Sequence, residues 1–152
     1  MRLRRVMMIV VVILGISLIA IQFIPVVYTN PPITKEPNWD SQETRALAAR
    51  SCFDCHSNET ELPWYSNIAP VSWLIYRDIN EGRKEMNFSE WRMKSTRANH
   101  TAEEIEEVIR EGEMPPWYYL PLHPQVKLTD SEKQVLIDGL QKTVLNSITE
   151  SK

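Results

Sequence analysis

The chain has 152 residues, a formal net charge of −3 and only two cysteines. All 20 acidic residues lie beyond residue 28, together with 14 of the 17 basic residues, so that region carries a formal charge of −6. This acidic balance argues against nucleic acid as a partner and against attraction to anionic lipid headgroups.

The N-terminus combines a cluster of arginines with a long uncharged segment. Arg2, Arg4 and Arg5 precede the stretch from Val6 to Tyr28, which contains no charged residue. A tilted membrane helix needs roughly 20 apolar residues. Residues 1–28 are therefore predicted to be a single-pass transmembrane anchor.

A cleaved signal peptide is the alternative for this segment. Its apolar core would be shorter, and the only small-residue cleavage site, Gly15 to Ser17, lies well inside the apolar run. We therefore favour an uncleaved anchor. The arginines predict a cytoplasmic N-terminus in the bacterial inner membrane, with the rest of the chain in the periplasm or outside.

The next segment predicts a spacer and then a helix. Residues 29–38 contain Asn30-Pro31-Pro32 and Pro37, which favour a stiff, extended tether. Residues 39–152 are predicted to form one small domain. In it, Asp40 or Ser41 can cap a helix that runs to about Arg50.

That helix leads into the most informative motif of the chain, Cys52-Phe53-Asp54-Cys55-His56. Two thiols on one helical turn can add to the two vinyl groups of a haem, and the histidine that follows can bind the iron. Cys-x-x-Cys-His is the sequence form of c-type haem attachment. We therefore predict one covalent haem c, held by Cys52 and Cys55 with His56 as the axial ligand.

Three other interpretations compete for the two cysteines. A thioredoxin-like pair would follow a strand, and no Val/Ile-rich run precedes Cys52. A structural zinc site would need two more ligands, but His100 and His123 are the only other histidines and lie far apart. A disulfide across two residues would be strained and would close almost no loop.

The rest of the chain predicts helices and loops only. Ala69 to Ile79 is a helical segment for which Gly82 is a plausible end. Thr101 to Glu104 and Thr129 to Glu132 both have the form of a capping box at a helix start. Gly112 would end the first of these two helices. No strand pattern competes, so the predicted fold class is all-α.

The order of these elements resembles a class I cytochrome c, and more closely the bacterial membrane-anchored haem-binding-domain family. The family's Ser-Cys-x-x-Cys-His-Ser-Asn-Glu element corresponds to Ser51–Glu59, and its Pro-Trp-Tyr to Pro63–Tyr65. Its two later elements correspond to Ala69–Trp73 and Gly112–Tyr118. The resemblance covers about Trp39 to Leu145 and implies a small cytochrome c-like helical domain around one haem. It does not imply a particular reaction.

The sixth ligand of the iron decides whether such a site carries electrons or does chemistry. Met114 is favoured because it follows a helix end, because Pro115 and Pro116 stiffen its backbone, and because the loop corresponds to the ligand loop of class I cytochromes. A core methionine that fills a gap is the alternative interpretation. The remaining candidates are expected to be exposed or to pack in the core: Met86, Met93, His100 and His123.

Aromatic residues are candidates for the wall of a dry haem pocket: Trp64, Tyr65, Trp73 and Trp117. A backbone carbonyl near Pro63 or Pro70 is expected to accept the Nδ1 proton of His56. With His56 and Met114 as metal ligands, the chain would carry single electrons between redox partner proteins at the membrane. This favours a non-enzymatic carrier, and the alternatives are a haem peroxidase, a gas or redox sensor with a labile sixth ligand, and a thiol-disulfide oxidoreductase.

Overall fold

The computed structural model describes residues 2–92 and 98–149. Within these ranges the chain is helical without a strand, and the only β-type pairing is an isolated bridge between Lys35 and Glu90. The all-α prediction is confirmed. The helices are α1 (Arg2–Ile21), α2 (Gln42–Ser51), α3 (Phe53–His56), α4 (Val71–Glu85), α5 (Ala98–Arg110) and α6 (Asp130–Thr149), with 3₁₀ turns at Trp64–Asn67, Leu120–Leu122 and Pro124–Val126.

Helix α1 is apolar and stands apart from the other helices. It contains 20 residues and buries none of them. A helix of this length spans about 30 Å, which matches the hydrocarbon core of a bilayer. By length and composition α1 is thus able to cross a membrane, as the sequence predicts.

The segment after α1 is hydrogen-bonded to the domain along most of its length. Gln22 both donates to the Ala69 carbonyl and accepts from the Ala69 N–H, each at 3.0 Å. Farther along, the Asn30 side chain donates to the Thr60 carbonyl. The backbone N–H groups of Thr34 and Lys35 then donate to the Ser89 carbonyl. The predicted tether, residues 29–38, therefore lies against the domain, and the division into three units stays a prediction.

Helices α2, α5 and α6 enclose the main core. Ser41 caps α2 by accepting the Thr44 N–H, as expected. Gly139 of α6 faces Thr44, and a Cβ there would lie within 3 Å of the Thr44 side chain. The two helices therefore pack backbone to side chain. The buried apolar residues of this core include Ala48, Ile105, Ile109, Leu136, Ile137, Leu140 and Val144.

The two predicted capping boxes have different outcomes. At the start of α6 the Glu132 carboxylate accepts the Thr129 N–H at 2.8 Å, and the Thr129 hydroxyl accepts the Glu132 N–H at 3.3 Å, which confirms the prediction. Helix α5 begins at Ala98, so Thr101 lies inside it and the predicted cap there is wrong. The same Thr-x-x-Glu spacing also occurs inside helices, where positions i and i+3 are neighbours.

Candidate functional site

The cysteine-histidine motif forms one helical turn directly after α2. Cys52 is both the C-cap of α2 and the N-cap of α3. Its carbonyl accepts the N–H of Cys55 at 3.2 Å and that of His56 at 2.8 Å. Both cysteines are free thiols and half-buried. The turn therefore places two thiols and one imidazole within a single turn of backbone.

The imidazole of His56 is oriented by the backbone after α4. Its Nδ1 lies 3.0 Å from the Met86 carbonyl oxygen, and the His56 carbonyl accepts the Phe88 N–H at 2.7 Å. A carbonyl can only accept, so Nδ1 carries the proton in this contact and Nε2 keeps its lone pair. That is the tautomer a metal-binding histidine needs.

Burial lowers the pKa of His56, although the Met86 and Gly82 carbonyls act in the opposite direction. The ring is thus neutral near pH 7, and neutral imidazole is the metal-binding form. The expectation that the orienting carbonyl lies near Pro63 or Pro70 is wrong. Helix α4 runs three residues past Gly82, to Glu85, and so carries the carbonyl of Met86 to the ring.

Gly82 does not end α4, as the sequence suggested, but allows a close approach to the motif. A Cβ on Gly82 would lie 2.5 Å from the Cys55 carbonyl oxygen and 3.2 Å from the Cys55 Cβ. The first distance is shorter than real Cβ contacts and the second is tight, so a larger residue would push α4 away from α3. The glycine therefore lets α4 support the turn that carries Cys55 and His56.

The surroundings of the two thiols argue against a thioredoxin-like role for these cysteines. Burial raises the pKa of both thiols to about 12. Reactive cysteines of thiol-disulfide enzymes show the opposite shift. Among the described residues no group of three His, Cys, Asp or Glu side chains is arranged to hold a metal ion. A cavity of about 350 Å³ borders α3 at Phe53 and Asp54, but neither thiol lines it, so we do not assign it to the motif.

The Met114 loop leaves α5 through a glycine in the left-handed region. Gly112 has φ +76°. Its N–H donates to the Ile109 carbonyl, and the Glu113 N–H donates to Val108, which is the Schellman arrangement at a helix end. The Met114 N–H also donates to the Val108 carbonyl, at 3.0 Å. The backbone of Met114 is thus fixed to α5, while its side chain is 40% exposed.

Two tyrosines fasten the far end of this loop. The Tyr118 hydroxyl donates to Asp78 of α4 at 2.9 Å, and the Tyr119 hydroxyl donates to Asp54 of α3 at 2.6 Å. Asp54 lies between the two cysteines of the motif. The loop that carries Met114 therefore ends on the cysteine-histidine motif itself.

His123 is buried, so the expectation that it lies on the surface is wrong. It is 9% exposed and stacks on the Tyr119 ring, with the ring centres 3.9 Å apart. The Tyr65 hydroxyl is 3.4 Å from its Nε2. Burial lowers the pKa of His123. Tyr119, which stacks on His123, donates its hydroxyl to the Asp54 carboxylate. No role for Asp54 is predicted from the sequence.

The predicted pocket aromatics lie in different places. Trp64 is 83% exposed and Trp117 is 77% exposed. The Trp73 indole N–H donates to the Ile24 carbonyl at 3.4 Å, next to the end of α1. Of the four, only Tyr65 is linked to the motif, through its contact with His123 and the stacking of His123 on Tyr119. The packing of the four aromatic residues against a haem stays a prediction.

The remaining candidate ligands are Met86, Met93 and His100, and only the Met86 side chain belongs to the described part of the structure. The Met86 side chain packs against the main core, as expected, while its carbonyl holds His56. Met93 lies outside the described residues. His100 lies in the first turns of α5, and its role as a ligand stays untested.

The comparisons with known proteins agree with the motif. A family model described as a haem-binding domain matches residues 16–142. The match begins inside α1 and includes the motif, the Met114 loop and most of α6. No curated protein and no solved structure matches the chain.

Proposed function

The chain belongs to the haem-binding-domain family, and on that premise we propose that it is a membrane-tethered c-type cytochrome that carries single electrons. The observation that carries this proposal is the orientation of His56. Two half-buried thiols precede an imidazole whose Nδ1 is held by the Met86 carbonyl at 3.0 Å. This donor set suits thioether attachment through Cys52 and Cys55 with Nε2 of His56 bound to iron.

Haem would supply the one-electron Fe(III)/Fe(II) couple. The residues of this chain would hold the haem, orient the histidine that binds it and set the polarity around it. The Met86 carbonyl fixes the imidazole plane, and Gly82 keeps α4 close behind Cys55. We assign the sixth position to Met114, whose backbone is fixed to α5 and whose loop ends on Asp54. Thioether ligation would raise the reduction potential relative to two histidines.

The anchor and its flanking arginines support a location at the inner membrane, with the domain on the periplasmic side. Arginine before a first apolar helix favours retention of that end in the cytoplasm. An alkaline phosphatase joined after Lys152 should then be active in intact cells, because this enzyme folds only outside the cytoplasm. An inactive fusion that is made in normal amounts would contradict the orientation.

A haem enzyme or sensor with a labile sixth ligand is the second candidate. The 40% exposure of the Met114 side chain favours it, since a thioether that faces solvent is easily displaced. The two candidates differ in the spectrum of the resting protein. A closed His/Met site is low-spin, whereas an open site is high-spin and binds carbon monoxide or peroxide rapidly.

The deciding experiment is a spectrum of the full chain made together with a cytochrome c maturation system. We expect covalent haem, a low-spin ferric state and the near-infrared band of sulfur-to-iron charge transfer. Met114→Ala should lose that band and keep the haem. Met86→Leu is the matched control, because it keeps the carbonyl that holds His56 and should keep the band. High-spin ferric haem in the unaltered protein would overturn electron transfer in favour of the second candidate.

A further inference from the structure

The two longest stretches without Asp, Glu, Lys or Arg lie in separate parts of the sequence, although 24% of all residues are charged. One is residues 6–34, which includes α1 and the segment after it. The other is residues 62–76, which include the 3₁₀ turn at Trp64–Asn67 and the first residues of α4. A charge-free run of this length on the surface of an acidic domain calls for a reason.

The structure brings these two stretches together at the end of α1. Gln22, the first residue after α1, exchanges two hydrogen bonds with the backbone of Ala69. The Tyr28 hydroxyl lies 2.8 Å from the Ser66 carbonyl oxygen and 2.7 Å from that of Ser72. The Trp73 indole contacts the Ile24 carbonyl. The two stretches therefore form one continuous surface.

Several apolar residues on this surface are exposed. We call five of them, which are between 41% and 83% exposed, the charge-free face: Phe23, Val27, Trp64, Ile68 and Val71. Single exposed apolar residues are ordinary, but a contiguous group marks a contact surface. Tryptophan and tyrosine are also the residues that concentrate at the boundary between lipid and water.

The position of Gln22 sets the depth of this face. The apolar run begins at Val6, and about 18 to 20 helical residues are needed to cross the hydrocarbon core. With Val6 at one boundary, the other falls at about residues 23 to 25, directly after Gln22. Because Ala69 is bonded to Gln22, the neighbouring side chains of Ile68 and Val71 lie at the same level.

We propose that the charge-free face rests in the interfacial layer of the bilayer that holds α1. This inference rests on the proposed membrane anchoring. The partner is the lipid itself, and the contact is apolar, since an acidic domain has no attraction to anionic headgroups. It assigns Trp64 to the membrane side, places Trp73 beside the face through its bond to Ile24, and leaves Tyr65 and Trp117 as candidates for the haem wall. The domain then keeps one orientation above the membrane.

The test measures how readily a thiol on this face reacts. In the haem-loaded full chain Cys52 and Cys55 are thioethers, so an introduced cysteine is the only free thiol. Ile68→Cys and Val71→Cys report on the face, and Glu107→Cys, exposed on α5, is the control. Each protein is placed in phosphatidylcholine nanodiscs at one copy per disc and treated with a membrane-impermeant maleimide. Rates are divided by those of the same protein in denaturant.

We expect both cysteines on the face to react at least about tenfold more slowly than Cys at position 107, with no change in high salt, because apolar burial excludes the reagent. A parallel flotation assay with vesicles tests the anchor itself. Equal reaction rates in a protein that floats with the vesicles would overturn the lipid contact and leave the anchor intact. A protein that does not float with the vesicles would overturn the anchor and the lipid contact together. Protection that appears only with two copies per disc would place a second copy on the face and overturn the lipid contact.

Discussion

The turn that carries His56 and the loop that carries Met114 are held by different kinds of contact. Phe53, inside the motif, stacks on Phe88 with ring centres 5.3 Å apart, and Phe88 in turn stacks on Trp91 at 5.9 Å. Two hydrogen bonds then tie His56 to residues 86–88: the ring Nδ1–H donates to the Met86 carbonyl, and the His56 carbonyl accepts the Phe88 N–H. The histidine side of the candidate site is therefore part of the apolar core.

The Met114 loop depends instead on a glycine turn and on two tyrosine hydroxyls. Tyr118 and Tyr119 each donate to one carboxylate, and the Met114 side chain itself is partly exposed. A loop held by a few polar contacts opens at lower free energy than a turn stacked in a core. We therefore expect the histidine side to decide whether haem is held, and the methionine side to decide how tightly the sixth position is closed.

The largest effect should come from the motif. Changing Cys52 and Cys55 together to alanine should abolish covalent haem, because no other cysteine exists in the chain. Haem staining of the denatured protein measures this directly. Met114→Ala should keep the full stain. Stain that survives in the double variant would show that the chain binds haem in another way.

The two glycines allow the same substitution on each side. Gly82→Ala should destabilise the haem-loaded protein by about 2 kcal/mol, since its Cβ would meet the Cys55 backbone. Gly112→Ala should cost about 1 kcal/mol, because its φ of +76° is strained for alanine. Denaturant unfolding gives both values.

The spectra of these glycine variants separate the two sides further. Gly112→Ala should weaken the sulfur-to-iron band, whereas Gly82→Ala should lower the haem yield and leave the band unchanged. The reverse pattern would contradict the proposed division of roles.

The tyrosines offer a second matched pair. Tyr119→Phe removes a hydrogen bond to the half-buried Asp54 carboxylate, a loss of about 1.5 kcal/mol. External imidazole should then replace the sixth ligand with roughly tenfold higher affinity. Tyr118→Phe, whose bond to Asp78 is solvent-exposed, should change it by less than about twofold. Equal effects in a titration would show that the Tyr119 contact does not hold the loop.

The smallest effect concerns the ion pair between Arg50 of α2 and Glu132 of α6. The Thr129 N–H and Arg50 hold the pKa of Glu132 at about 2, below its usual value of 4.5. Its contribution to stability is therefore complete above pH 4.5 and is lost as the pH falls toward 2. Glu132→Gln should flatten this part of the stability curve without altering the haem spectrum. An unchanged acid slope would show that the pair of α2 and α6 does not depend on this carboxylate.

Local patterns predicted the elements of this protein better than their contacts. The spacing in Thr129 to Glu132 and in the motif turn is short-range, and both form as the sequence indicates. In the sequence, Gly82 indicates a helix end because glycine is a poor helix former. Its actual role depends on Cys55, 27 positions earlier, and no local pattern contains that information.

Contacts that involve the backbone or a distant partner are equally hidden. Any residue can supply the carbonyl that Met86 gives to His56, so its side chain carries no signal. His123 lies between prolines in the sequence, which suggested a surface loop, but stacking on Tyr119 buries it. An acidic residue inside the motif, Asp54, opposite a Tyr-rich loop was the one available hint of the Tyr119 contact.

The position of Phe53 has a consequence for how the protein is made. Its ring lies in the core, and Cys52 beside it packs against the same core. An assembly factor that joins a cofactor to both sulfurs must reach them from outside. We therefore expect any covalent attachment to come before the core closes, while the chain is still unfolded. Attachment then competes with folding in time, and a chain that folds first can no longer receive the cofactor.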